Sequence, residues 1–268
     1  MIGFLIKKNL FDLWDNLFRV ALLNLGFIAS FAIPLHPAIF PGLIPHTAIA
    51  IAVSAVGILW CCIYLSAAAL SLKAISDYGT FGWGDFIKNL KSGLPGGLFM
   101  GAIVVLMGLM VIYIIPFYLS MNSLLGLFLA AVIFWTLVLG IFSFQFFFAI
   151  RARLDTKLIK VFKKCFIIFF DNPGFAIFSL LHNVVVLVLS GLTAFLFPGP
   201  AGALLFLDEG LRLRLLKYDW LEANPEPEDA AKSRRLRKRA IPWDAILIDE
   251  REKTGTRTIK NFIFPWKD

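Results

Sequence analysis

The sequence predicts an all-α, polytopic transmembrane helical bundle of about six segments, and three observations carry that prediction. The first is composition: 59% of the 268 residues are hydrophobic and 16% are charged, against about 45–50% and about 25% in soluble domains. The second is where charge is missing. Residues 20–72, 92–150 and 172–207 contain no Lys, Arg, Asp or Glu. The third is the length of those blocks. A helix crosses the hydrocarbon with roughly 20 apolar residues, so each block is too long for one crossing and reads as a hairpin of two.

Taken in order, the N-terminus begins with a polar stripe. Lys8, Asp12, Asp15 and Arg19 recur at helical spacing, while Phe4, Phe11, Trp14 and Phe18 point elsewhere. That pattern predicts a short amphipathic helix in the headgroup layer, with Lys8 on its wet face. No small-residue cleavage site precedes the first apolar run, so no removable signal peptide is expected. Pro34, Pro37, Pro41 and Pro45 interrupt the first block and predict spans at 17–35 and 47–70. A second elbow is expected before the second block, with Asp85, Lys88 and Ser92 opposite Trp83, Phe86, Leu90 and Leu94. The second block breaks near 116–122, giving spans at 97–118 and 124–150. A third elbow sets Lys157, Lys160 and Lys164 against Leu158, Phe162 and Phe166. The alternative, that these elbows are the solvated ends of longer transmembrane helices, stays open at this point. The third block breaks at Phe197-Pro-Gly-Pro200, leaving a span at 174–195 and a short or re-entrant return helix at 201–217.

The positive residues set the orientation. Connections at 36–46, 117–123 and 197–200 hold no Lys or Arg, whereas Lys73, Lys88, Lys91, Arg151, Arg153, Lys157, Lys160, Lys163 and Lys164 all fall on the opposite side. The positive-inside rule places that side, with the N- and C-termini, in the cytoplasm of a bacterial inner membrane. The transmembrane domain is expected at 1–221 and a cytoplasmic basic tail at 222–268. The net charge of +8 then reads as orientation and lipid contact rather than nucleic-acid binding. Contacts with anionic headgroups are expected from Lys157, Lys160, Lys164, Arg234, Arg235, Arg237, Lys238 and Arg239. The apolar stretches 241–248 and 262–266 suggest docking on the cytoplasmic face or on a partner.

Motifs of chemistry are missing from the reading. The chain has no phosphate-cradling GxxxxGK[ST], no GxSxG and no HExxH. Cys61, Cys62 and Cys165 form no metal-ligand spacing. Neither catalytic residues nor a cofactor or metal are expected, and the chain reads as a non-enzyme. His182 and Asn183 lie inside a span and fit either an interhelical hydrogen bond or a solute site. Asp208 falls roughly 12 Å along the last helix from Pro200, with Glu209 beside it and Arg212 one turn on, where both carboxylates can meet it. Two readings compete: the acids line a polar interior pathway, or 201–207 is re-entrant and the charges sit shallow and wet. Gly97 and Gly101, with Ala67–Ala69 and Ser71, offer smooth faces for close helix contact.

The segments Phe81-Gly-Trp-Gly-Asp-Phe-Ile-Lys-Asn-Leu-Lys91, Arg153-Leu-Asp-Thr-Lys-Leu-Ile-Lys-Val-Phe-Lys-Lys-Cys165, Leu22-Leu-Asn-Leu25 and Phe197-Pro-Gly-Pro200, in this order of elements, resemble the YesL-type family of bacterial integral membrane proteins. The resemblance covers about residues 5–220, and the tail after Leu221 departs from it. It implies a role beside carbohydrate uptake systems and carries no catalytic residues. The expectation is therefore a non-catalytic accessory or regulatory component of a transport system, with a membrane or cytoplasmic protein partner. The alternative is a small-solute transporter with a polar pathway near His182, Asn183 and Asp208, which would need to oligomerise.

Overall fold

The structure, a computed structural model, describes residues 1–39, 46–225 and 241–255. Among them every regular element is helical. Helix α1 (Ile2–Asp15) leads into α2 (Leu17–Ile39), α3 (Thr47–Ser76) and α4 (Trp83–Leu109). A π-helical turn at Met110–Ile114 joins α4 to α5 (Ile115–Ser120), followed by α6 (Leu124–Phe144), α7 (Phe147–Arg153) and α8 (Leu158–Asp171). Helices α9 (Pro173–Ser190) and α10 (Gly199–Ala223) complete the bundle, and α11 (Trp243–Ile246) with α12 (Ile248–Thr254) form a strap across one end.

Among the described residues five stretches are long and apolar enough to cross a membrane: Leu17–Pro37, Thr47–Ser76, Trp83–Ser120, Leu124–Arg153 and Pro173–Thr193. Their outward faces are apolar, with Leu124, Phe128, Trp135, Leu181, Val188 and Leu192 exposed. Water would penalise such a surface, whereas lipid does not. The chain is an all-α polytopic membrane bundle.

The small-residue faces read from sequence bring α3 and α4 together. A Cβ on Gly97 would lie 2.3 Å from the Ile63 Cα, and one on Gly101 would lie 3.0 Å from the Leu59 Cα. Ala67, Ala68, Ala69 and Ser71 are buried on the facing helix. Backbones that approach this closely gain dispersion contact where lipid supplies no hydrophobic drive.

Several expectations need correction. Helix α2 does not stop near residue 35; it continues through Pro34 and Pro37 to Ile39. A proline interior to a helix removes a backbone bond, and α3 supports the distorted turn. Ser54 Oγ donates to the Pro34 carbonyl at 3.2 Å, and Gly57 leaves room for the Pro34 ring. The second elbow is the start of one long helix, Trp83–Leu109, with Pro95 inside it. The first elbow is separate but does not lie flat on the surface. It packs beneath α10, with Leu5 and Lys8 both fully buried, so Lys8 is not on a wet face. The third elbow forms as α8, broken from α9 at Asn172. Its inner stripe is Val161, Cys165 and Ile168, while Ile159, Ile167 and Phe170 face outward beside exposed Lys157 and Lys160.

The last helix differs most. It is longer than 201–217, and it packs on α1, α2, α3, α7 and α9. Residues 201–203, 205–211 and 213 are buried. The wet placement of its charges is overturned: Asp208 and Glu209 are 1% and 0% exposed. Part of the tail is also structured, with Leu247, Glu250 and Thr254 buried against the bundle. Arg234, Arg235, Arg237, Lys238, Arg239 and the stretch 262–266 lie outside the described residues.

Candidate functional site at the charged end of the bundle

Five elements deliver charge to one end of the bundle: α1, the α3–α4 turn, α7, α10 and the strap. The centre is Arg153, the last residue of α7. Its guanidinium grips Asp208 with both prongs, Nε to Oδ1 at 2.9 Å and Nη2 to Oδ2 at 2.5 Å. It also donates to Ser76 Oγ at 2.8 Å and to Asp77 Oδ1 at 2.9 Å. A forked pair of this kind is the strong form of ionic hydrogen bond. It is what allows a carboxylate to sit where water is absent.

Arg212 does not bind Asp208 or Glu209, as helical spacing alone predicted. It turns to the strap and the α3–α4 turn. Nη2 donates to Glu250 Oε1 at 2.8 Å, while Nη1 reaches the Ser76 carbonyl at 3.2 Å and the Asp77 carboxylate. Tyr78 closes the ring, donating to Glu250 Oε2 at 2.8 Å. Its backbone has φ +62°, which lets the turn present the ring between two cations. Lys8 Nζ lies 3.9 Å from the ring centre and the Arg212 guanidinium 5.3 Å. Burial, together with the Glu250 carboxylate beside it, holds the Tyr78 hydroxyl above the usual tyrosine range. It stays protonated and continues to donate.

Lys8 binds Asp12 at 2.5 Å and stands 3.9 Å from Glu209 Oε1. Asp12 and Asn9 also adjoin the Glu209 carboxylate, but neither its oxygens nor the buried Asn9 Nδ2 makes a hydrogen bond of full geometry. Among the described residues the network thus sets Lys8, Arg153 and Arg212 against Asp12, Asp77, Asp208, Glu209 and Glu250. Chemically it is a clasp: each cation is shared between chain segments far apart in sequence, and the strap is held by Glu250.

The other predicted site residues lie elsewhere. His182 stacks on Phe206 with centroids 3.7 Å apart and planes 16° apart, and its Nδ1 is 3.5 Å from Asn183 Oδ1. Neither shares a hydrogen bond with Asp208. The structure therefore groups Asp208, Glu209 and Arg212 but leaves His182 and Asn183 as packing partners. Lys164 pairs with Asp155 at 3.6 Å.

Sequence reading missed Asp77, Tyr78, Arg153 and Glu250 as site residues. The signal was present in Asp208 itself: a carboxylate in an apolar helix demands a cation, and Arg151 and Arg153 follow directly on the uncharged block 92–150. Asn24 was missed as well. It is fully buried and caps α10, accepting from the Ala201 N–H at 2.8 Å and donating to the carbonyls of Leu196 and Pro198 at 3.0 and 2.7 Å. Two segments that carried the family resemblance, 22–25 and 197–200, thus meet in space.

Comparison of the chain with protein-family models, curated proteins and solved structures returns no match.

Proposed function

We propose that the chain is a non-catalytic component of a bacterial inner membrane, with both termini cytoplasmic, that serves as an accessory or regulator of a transport system. Its working face is the charged end, where the strap lies. One observation supports this above others: the ionic side chains are spent on clasping α1, α10 and the strap together, not on lining a route through the membrane. His182 stacks on Phe206 and Asp208 is held by Arg153. That separation weighs against a solute carrier using His182, Asn183 and Asp208. A carbohydrate uptake system is the class that the YesL-type resemblance suggests.

The strap exposes Ile248, so a photo-crosslinking residue there reports on the partner. Adducts with a protein of a transport system are expected in cells. Adducts with lipid alone overturn the reading. Reconstituted flux of candidate sugars should be absent in the wild type; flux that Asp208→Asn removes would instead establish the carrier.

A further inference from the structure

A second polar feature lies apart from the clasp, where the α8–α9 junction, α10 and the strap meet. They enclose a cavity of about 460 Å³. Arg214 and Lys217 project into it from α10, Asn172 and Phe175 from the α8–α9 junction, and Trp243 from the strap. The Arg214 guanidinium lies 4.5 Å from the Phe175 ring centre and 5.9 Å from that of Trp243. Nη1 donates to Asn172 Oδ1 at 2.8 Å, but Nε is buried and makes no hydrogen bond. Lys217 Nζ is 3.2 Å from Asp171 Oδ2, and that carboxylate already accepts from Asn172 Nδ2 and the Tyr218 hydroxyl. Two cations therefore face one carboxylate, whose bonds all fall on Oδ2, and the cavity keeps a surplus of positive charge.

Its shape and depth narrow the occupant. The first turn of α9 forms one wall, Pro173 occupies its start, and no side chain caps it. Amide groups at such a turn favour an anion. A Cβ on Gly174 would meet nothing within 4 Å, so the wall is open there. The Pro173–Thr193 stretch, long and apolar enough to cross a membrane, begins at this wall, which fits a cavity at the boundary between headgroups and hydrocarbon. Leu221 and Ile241 give it an apolar rim.

We propose that this cavity binds a phosphate group, either the phosphodiester of an anionic phospholipid or free inorganic phosphate, and that occupancy holds the strap on the bundle. Arg214 and Lys217 supply the charge, and Trp243 completes the wall only when the strap is docked. A ligand that binds the docked form alone shifts docking by mass action.

The test uses the full chain in nanodiscs and reads hydrogen exchange at residues 241–255. One arm contains phosphatidylcholine alone, one adds phosphatidylglycerol, and one adds inorganic phosphate to phosphatidylcholine discs. Slowing of strap exchange by about tenfold or more is expected, the scale of one charge-assisted hydrogen bond. The arm in which it appears identifies the source of the phosphate. Arg214→Gln and Lys217→Gln should each lose most of the slowing, whereas Arg251→Gln, at an exposed strap cation outside this cavity, should keep it. Unchanged exchange in both anion arms overturns the proposal. So does slowing that survives in both cavity variants, because general attraction to a charged surface would then explain it.

Discussion

Helices α9 and α10 leave the same turn at Phe197-Pro-Gly-Pro200 and run beside each other, yet they live in different solvents. Along α9, Leu181, Val184, Val185 and Val188 are exposed, and the helix carries no charged residue. Along α10, residues 205–211 are buried, and Asp208, Glu209, Arg212, Arg214 and Lys217 all occur within three turns. Neighbours supply the difference. Helices α1, α2, α3, α7 and α9 sheathe α10, and two of them bring Lys8 and Arg153 to its carboxylates. Charge is tolerated inside a membrane bundle when protein, not lipid, is its surroundings.

That contrast breaks most severely at Arg153. Arg153→Ala leaves Asp208 buried and uncompensated, and loss of one partner of such a pair costs about 3–5 kcal/mol. Thermal unfolding in detergent should show the single variant far below wild type. The double variant Arg153→Met, Asp208→Leu should recover much of the loss, since it removes both charges together. A variant as stable as wild type would mean that water reaches Asp208. The reciprocal change adds a carboxylate to the lipid-facing helix. Val185→Asp, near the middle of the Pro173–Thr193 span and 57% exposed, is expected to cost about 2.5–3.5 kcal/mol in membrane insertion. A glycosylation-reporter insertion assay measures it directly.

The same contrast explains what the sequence could disclose. Lipid exposure is written in composition: a helix that faces hydrocarbon must exclude charge over its length, so the five spans and most of their ends were legible. Gly97 and Gly101 were legible because only small residues admit another backbone. Protein-sheathed charge is not written locally. Asp208 pairs with a residue 55 positions earlier and Arg212 with one 38 positions later, so helical spacing pointed to Arg212 as the partner and was wrong. Lys8 looked like a solvated lysine because its second carboxylate, Glu209, is supplied by the far end of the chain. Proline misled in the opposite sense. Pro34 and Pro37 are strong local stop signals, but the helix runs through both, with Ser54 and Gly57 of the adjoining helix accommodating Pro34.

Asn24 sharpens the comparison at its hinge, where α9 hands over to α10. Its side chain serves the Leu196 and Pro198 carbonyls and the Ala201 amide together, while Ser190 Oγ accepts from the Gly199 amide. Asn24→Ala should destabilise by about 1–3 kcal/mol, the usual consequence of leaving buried backbone groups without partners. The loss should appear as faster hydrogen exchange at residues 196–203 more than at α9. Asn24→Asp keeps the acceptor for the Ala201 N–H but removes both donors, so it should recover only part of the stability.

The smallest effect concerns the opposite ends of the two helices, which Asp171 ties together. Burial pushes its carboxyl upward, but hydrogen bonds from Tyr218, Lys217 and Asn172 outweigh that and hold it below the usual aspartate range. A carboxylate with a depressed folded-state pKa contributes stability that is present above its unfolded value, about 3.9, and disappears as pH falls through the folded value. Thermal stability should therefore decline across that acid window more steeply in wild type than in Asp171→Asn, and the two should converge once the carboxylate is protonated. The separation should be modest, because the Asp171 side chain is 45% exposed and water screens its pairing with Lys217. Salt should narrow it further. The Arg153–Asp208 pair, with both side chains under 10% exposed at 8% and 2%, should change little in the same salt titration. If both pairs respond alike, the distinction between a wet end and a protein-sheathed interior of α10 does not hold.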